Sequence, residues 1–390
     1  MASKVLLIGA TGNIGGAVLD SLLKDYPGVT VIAQVRSEED STILKNQYAQ
    51  YNKTLQIVVA ASIDSEALKQ AAESAAVVLN CGPDVAQENN INKLLSTLAC
   101  SITDQPKFYV GTTGAASMWD EPVGSPEART WDDVSDIDDL LAFPESVLHI
   151  EHDRVVQRAN HLHPLLHTAL VSPTTVVGVS PSLKHPTPMV FPDWLHVVKT
   201  LGAGVTVNGG KNKTNFVHVK TVAKLYVLLA ADGLARANGG AGAAASSSSS
   251  SKPETWGPKA YYFAGSLELS FHDFMAEFLL PALKEYGVGA PSYFDYSNTN
   301  TTTPKIQDLP DVSNIAAIIG PRYASFPGGD IYTQVIAGAF AINMRATGSR
   351  AEQVFEDKGF KWADVEEGDA KDQGIAVAVK AFCELEKVRG

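Results

Sequence analysis

Gly9, Gly12 and Gly15 stand three residues apart, directly after the apolar run Val5-Leu6-Leu7-Ile8. That run is too short for a helix and reads as a buried parallel strand, so the glycines form the turn that leads from it into a helix. Gly9 permits the reversal, Gly12 lets the main chain approach a diphosphate with no Cβ in the way, and Gly15 lets the helix pack closely on the strand. The N–H groups around the helix start, at Thr11, Asn13 and Ile14, would hold the anion with the positive end of the helix dipole behind them. The chemistry this spacing offers is the binding of a dinucleotide; a tight turn without a ligand is the bland alternative.

Residues 29–35 read as a second strand, and it ends on Arg36-Ser37. At this place in a dinucleotide fold an acidic side chain accepts from a ribose 2′-hydroxyl, whereas an arginine suits a 2′-phosphate. Arg36 therefore favours NADP(H) over NAD(H). A further turn, Cys81-Gly82-Pro83, follows a strand at residues 77–80 and so falls where open α/β sheets bind ligands, although it also reads as a plain turn. His161, His163 and His167 have no carboxylate or thiol among them, so no metal site is expected.

The elements that would position these residues alternate. A helix with Ala17, Val18, Leu22 and Leu23 on one face stops near Pro27-Gly28, a third strand covers residues 55–59, and a helix spans 66–75. After a helix at 92–98 comes a strand at 108–110, then Gly111-Thr112-Thr113-Gly114. Strands alternating with helices predict an α/β fold with a doubly wound parallel sheet, the Rossmann arrangement, joined to a second, smaller substrate lobe.

The chain of 390 residues is 45% apolar and 19% charged, enough for a large folded core. A net charge of −12 argues against a nucleic-acid or anionic-membrane surface. Neither a charged-then-apolar leader nor a membrane-length apolar run is visible, and Cys81, Cys100 and Cys383 are widely spaced, which fits reduced thiols in a cytoplasmic protein. The Asn-Lys-Thr triplets at Asn52 and Asn212 are accordingly not expected to carry glycans. Residues 235–251 are a Gly/Ala/Ser tract expected to form a solvated insertion loop. Beyond it, residues 260–264 read as a strand, Ser270 as a helix cap, and the last hundred residues as helices near 314–319, 333–342, 351–357 and 375–385.

Taken with the strand order, these motifs resemble the extended or atypical short-chain dehydrogenase/reductases, close to NmrA-like and epimerase-like members common in fungi. The resemblance covers most of residues 4–280. It implies that Thr113, at the end of the fifth strand, orients a substrate, and that Ser172-Pro173-Thr174 forms a loop beside a nicotinamide. It also implies that residues 215–219 return the chain to the nucleotide domain. The family's Tyr-x-x-x-Lys pair is missing from its place, where His149-Ile150-Glu151-His152-Asp153-Arg154 stands instead. Aligning the helices puts His149 at the tyrosine and Asp153 at the lysine, four apart and so on one helical face. An imidazole titrates near neutrality and can serve as general acid or base, while Asp153 could accept from ribose hydroxyls or from His149.

The expected organisation is a dinucleotide domain over 1–178, with 215–232 returning to it, and a substrate lobe made of 179–214 and 256–390. The proline-rich stretch 179–214, with Met189, Val190, Phe191, Trp194 and Leu195, reads equally as a contact for an apolar small molecule or as ordinary packing. The C-terminal tail reads as part of the lobe or as a homodimer surface. The leading functional reading is an NADP(H)-dependent oxidoreductase or epimerase-like enzyme acting on a small, largely apolar metabolite, a setting typical of secondary metabolism. An isomerase or lyase using His149, and a non-catalytic cofactor-sensing regulator of NmrA type, stand beside it.

Overall fold

A computed structural model of the chain describes residues 4–82, 88–239, 252–265, 267–286, 305–325, 328–362 and 371–389. The run Lys4–Ile8 is strand β1 and passes through the glycine turn into helix α1, Asn13–Asp25. Then follow β2 (Thr30–Val35), α2 (Glu38–Gln47), β3 (Leu55–Val59), α3 (Glu66–Ser74), β4 (Val77–Asn80), α4 (Glu88–Cys100) and β5 (Lys107–Thr112). A short strand β6 (Trp131–Asp132) and helices α5 (Ile137–Leu141) and α6 (Ile150–Gln157) precede β7, Leu166–Pro173. The alternating pattern thus yields the parallel sheet it predicted.

That sheet has seven strands in the order β11-β7-β5-β4-β1-β2-β3, where β11 is Tyr261–Ala264. Every neighbouring pair runs parallel. The order reverses between β1 and β4, and the pairing of Ile8 with Asn80 sets the glycine turn against the Cys81 turn at the carboxyl edge. Both faces are covered, as strands with near-continuous apolar runs require. On one face Leu7, Val110 and Val171 pack with α1 and with α8, Val219–Ala237. On the other, Leu6, Tyr109, Leu170 and Tyr261 pack with α3, α4 and α6.

The lobe is built on a small sheet of β8 (Thr175–Val177), β10 (Lys213–His218) and β12 (Leu267–Ser270). A parallel pair, β9 (Gly204–Val207) with β13 (Ile306–Leu309), lies beside it. Helix α7 (Phe191–Leu201), the helical stretch 271–286 and the helices Ser313–Tyr323, Gly329–Gly338 and Lys371–Arg389 enclose an aromatic core of Phe191, Trp194, Phe216, Phe271, Phe274 and Phe340. Ser270 accepts from the Asp273 N–H at 3.0 Å, the cap its position implied. Phe191, Trp194 and Leu195 are fully buried, so for these three the ordinary-packing alternative holds.

Two domain boundaries differ from expectation. β11 is the outer strand of the seven-stranded sheet, so residues 261–264 belong to the nucleotide half rather than to a lobe beginning at 256. Ala351, Phe355, Phe360 and Trp362 pack into the core around α1 and α8, so part of the tail also returns there. The low-complexity tract begins later than its composition suggested, because α8 runs on through Ala237; residues 240–251 lie outside the described residues. The polar stretch 298–304 and Pro83 lie outside them as well.

Candidate active site

The glycine turn is a close-packed device. Gly9 adopts φ +78°, and a Cβ on it would come within 3.0 Å of the Cys81 carbonyl carbon and the Gly82 nitrogen. A Cβ on Gly15 would stand 2.1 Å from the Gly9 carbonyl oxygen. Gly12 is the N-cap of α1 and supplies no side-chain acceptor; the first intrahelical bond is from Gly16 N–H to the Gly12 carbonyl at 2.8 Å. The helix N–H groups at Asn13, Ile14 and Gly15 are thus left for an anion, which is the fit a dinucleotide diphosphate needs.

Gln34 is a residue the sequence reading passed over. Its amide oxygen accepts from the Gly9 N–H at 3.0 Å and its NH2 donates to the Ala60 carbonyl at 2.6 Å, tying the turn to the ends of β2 and β3. The available signal was a buried amide in the otherwise apolar run TVIAQV. At the β4 end, Asn80 donates to the Tyr109 hydroxyl at 3.0 Å and accepts from the Gly82 N–H at 3.1 Å. Burial pushes the Cys81 thiol up to about 12, so it offers no thiolate and contributes backbone only.

Arg36 is exposed just past β2, and Ser37 caps α2 by accepting from the Asp40 N–H at 3.2 Å. Three acidic residues follow in the first turn of α2: Glu38 and Glu39 are exposed, and Asp40 is buried and ion-paired to Lys184. The stretch 180–186 lies directly over the turn. Ser180 and Ser182 donate to the Asn13 and Thr11 carbonyls, each at 2.6 Å, and Asn13 donates to the Pro186 carbonyl at 3.0 Å.

At the carboxyl end of β5, Thr113 donates its N–H to the Val171 carbonyl at 2.9 Å, while its buried hydroxyl has no partner among the described residues. His149 is not on the helix. It is the N-cap of α6 in a left-handed conformation, φ 73°, which an L side chain adopts rarely and which recurs at functional sites. Its ring lies against Gly114: a Cβ there would be 2.4 Å from His149 Nε2.

Asp153 does not face that ring, which corrects the expectation of a shared helical face. Its side chain is wholly buried, accepting from the Tyr261 hydroxyl at 3.0 Å, with His152 Nδ1 at 3.5 Å from its other oxygen. Because His149 precedes the helix with a positive φ, the four-residue spacing no longer places the two side chains together. Asp153 meets His149 through the backbone, its N–H donating to the His149 carbonyl at 3.0 Å.

In the loop after β7 the Thr174 hydroxyl donates to the Ala264 carbonyl at 2.8 Å, which takes that side chain away from a cofactor and corrects the expectation for Thr174. Ser172 is fully buried facing Tyr261, and its hydroxyl, like that of Thr113, has no hydrogen-bond partner among the described residues. Ser172 and Pro173 stay as the candidate contacts of this loop. Among the described residues no cluster of three or more His, Cys, Asp or Glu could hold a metal, and no helix is long and apolar enough to cross a membrane.

With this geometry in place, comparison with known proteins is informative. The family model described as the NmrA-like family matches residues 1–101. The oxidase ucsJ of Acremonium sp. is similar at 24% identity over 235 residues, 59% of this chain and 66% of that protein's own length. Among solved structures, the thiolation-reductase di-domain of an archaeal non-ribosomal peptide synthetase superposes with TM-score 0.57 at 13% identity, covering 100% of this chain and 91% of the other. A dTDP-glucose 4,6-dehydratase from Streptomyces venezuelae with NAD bound gives 0.55 at 14% identity, covering 98% and 97%. A nucleoside-diphosphate-sugar epimerase from Pseudomonas aeruginosa gives 0.54 at 14%, covering 99% of both. Over residues 1–101 the chain is similar to the NmrA-like family, and the whole is built on a Rossmann α/β fold.

Proposed function

We propose that the chain is an NADP(H)-dependent oxidoreductase-type enzyme acting on a small, largely apolar substrate, with His149 as its general acid or base. The observation that carries this reading is the His149 imidazole held against Gly114, one residue from the Thr113 hydroxyl, which has no partner among the described residues, at the carboxyl end of β5. A bound nicotinamide would supply or accept a hydride there. Gly9, Gly12 and Gly15 with the α1 N-terminus bind the diphosphate, Arg36 meets the 2′-phosphate, and the backbone of Cys81-Gly82 lines the crevice. Thr113 orients the substrate oxygen by donating from its hydroxyl, and His149 transfers the proton at the same oxygen. Asp153 takes no part in the proton transfer in this scheme and anchors α6 in the core through Tyr261. The exposed side chain of Leu183, on the stretch that covers the turn, and that of Met189 just beyond it support an apolar substrate.

A reduced-cofactor turnover screen over small carbonyl compounds, run on the wild type and on His149→Ala, tests this. His149→Ala should lower turnover by roughly 100-fold while leaving NADPH affinity unchanged. Full activity in that variant removes His149 from the reaction, and equal stabilisation of the wild type by NAD and NADP removes the cofactor assignment.

A further inference from the structure

The corner beyond β2 holds more positive charge than Arg36 alone. Lys184 reaches into it from the stretch 180–186 and pairs with Asp40, whose second carboxylate oxygen is buried without a partner among the described residues. His185 is adjacent, its backbone N–H donating to Ser182 Oγ at 3.1 Å. Burial and the neighbouring Lys184 and Arg36 charges together lower the His185 imidazole, so the three basic groups lie within electrostatic reach of one another. Burial opposes the Asp40 carboxylate, but Lys184, Ser37 and Arg36 outweigh it and hold its carboxyl below the usual range.

The stretch is fixed on the glycine turn rather than lying loose. The Ser180 N–H donates to the Pro186 carbonyl at 2.8 Å, closing residues 180–186 into a compact loop. Gln47 of α2 donates to the Pro181 carbonyl at 2.7 Å, and a Cβ on Gly16 would stand 2.6 Å from Ser182 Cβ. A cation at position 184 is thereby placed over the same corner as Arg36, on a chain segment remote in sequence.

We propose that Lys184 is a second recognition residue for the 2′-phosphate of the cofactor, carried by the 180–186 strap and held on Asp40 until that phosphate takes its place. The assignment rests on the NADP(H) reading above and extends it: cofactor selectivity is shared between the nucleotide half and the segment that opens the lobe. A phosphate dianion offers three strong acceptor oxygens, against the single oxygen Asp40 presents to Lys184, so the ammonium gains by exchanging partners.

The test is titration of 2′,5′-ADP and of 5′-AMP into the wild type, Arg36→Ala, Lys184→Ala and Asp40→Asn, by calorimetry. Lys184→Ala should weaken 2′,5′-ADP by about 10-fold and leave 5′-AMP unchanged. Asp40→Asn should tighten 2′,5′-ADP, since it releases Lys184 and removes a like charge. If the Lys184–Asp40 pair only fastens the strap, both variants weaken both ligands together, and the proposal is overturned. A wild type that binds the two ligands equally overturns the NADP(H) reading itself. Preference lost in Arg36→Ala but intact in Lys184→Ala overturns the role of Lys184 alone.

Discussion

The imidazole of His149 and the α-carbon of Gly114 are in direct contact, so closely that a methyl group on Gly114 would lie 2.4 Å from Nε2. Gly114→Ala therefore forces the ring aside without touching the glycine turn. Turnover should fall by about 100-fold, the scale set by a misplacement of about 1 Å, with NADPH affinity retained. Single-turnover kinetics with a titration of NADPH separates the two effects; wild-type turnover in Gly114→Ala would mean that the contact is incidental.

Asp153→Asn should act on stability before chemistry. The change alters a wholly buried acceptor that receives the Tyr261 hydroxyl, and disturbing such a bond costs about 1–3 kcal/mol. Urea unfolding should show a lower midpoint, and turnover per folded molecule should change little beside that of His149→Ala. A folded, equally stable Asp153→Asn that has lost turnover would return the carboxylate to the reacting set.

Much of this was legible in the residues. The strand β4 and the glycine turn fall where the apolar runs and glycine spacing put them, because a buried parallel strand leaves a near-continuous apolar signature. That His149 and Asp153 do not share a helical face was not legible, since a four-residue spacing says nothing about the sign of φ at its first member. The place of Tyr261–Ala264 in the sheet was also hidden. A strand can be recognised locally, but its neighbour, β7, lies about 90 residues earlier and is chosen by packing of both faces. Gln34 shows a third limit, as one amide in an apolar strand reads as a defect until the N–H it satisfies is seen.

Replacing residues 240–251 with a short Gly-Ser link should leave melting temperature and cofactor binding almost unchanged. The ends to be joined are Gly239, just beyond α8, and Lys252. Loop length has a weak effect on closure entropy, about 0.6 kcal/mol per doubling. A large loss of melting temperature by calorimetry would show that the tract packs against the fold.

Asp133 ties β11 to the returning tail, accepting from the Phe263 N–H at 2.9 Å and the Arg350 N–H at 2.8 Å. Burial pushes its carboxyl up to about 8, above the ordinary 3.8, even though those donors favour the charged form. The folded chain therefore keeps a proton that the unfolded chain releases. Its contribution is complete below the unfolded value and is lost as pH rises to about 8. The urea midpoint should carry a component that falls across this window, and Asp133→Asn should flatten it. An identical pH profile in wild type and variant would count against the assignment.

The return of residues 351–362 to the core around α1 and α8 also fixes an order of events during synthesis. The glycine turn and β1 to β5 emerge first, yet β11 comes only at Tyr261–Ala264, and the cover supplied by Phe355, Phe360 and Trp362 comes later still. At about 5–20 residues per second the early strands wait on the order of ten seconds or more before that face is closed. Throughout that wait the core around α1 and α8 lacks the apolar side chains of Ala351, Phe355, Phe360 and Trp362. The nascent chain should accordingly associate with holding chaperones, and versions stopped before residue 351 should aggregate instead of binding nucleotide.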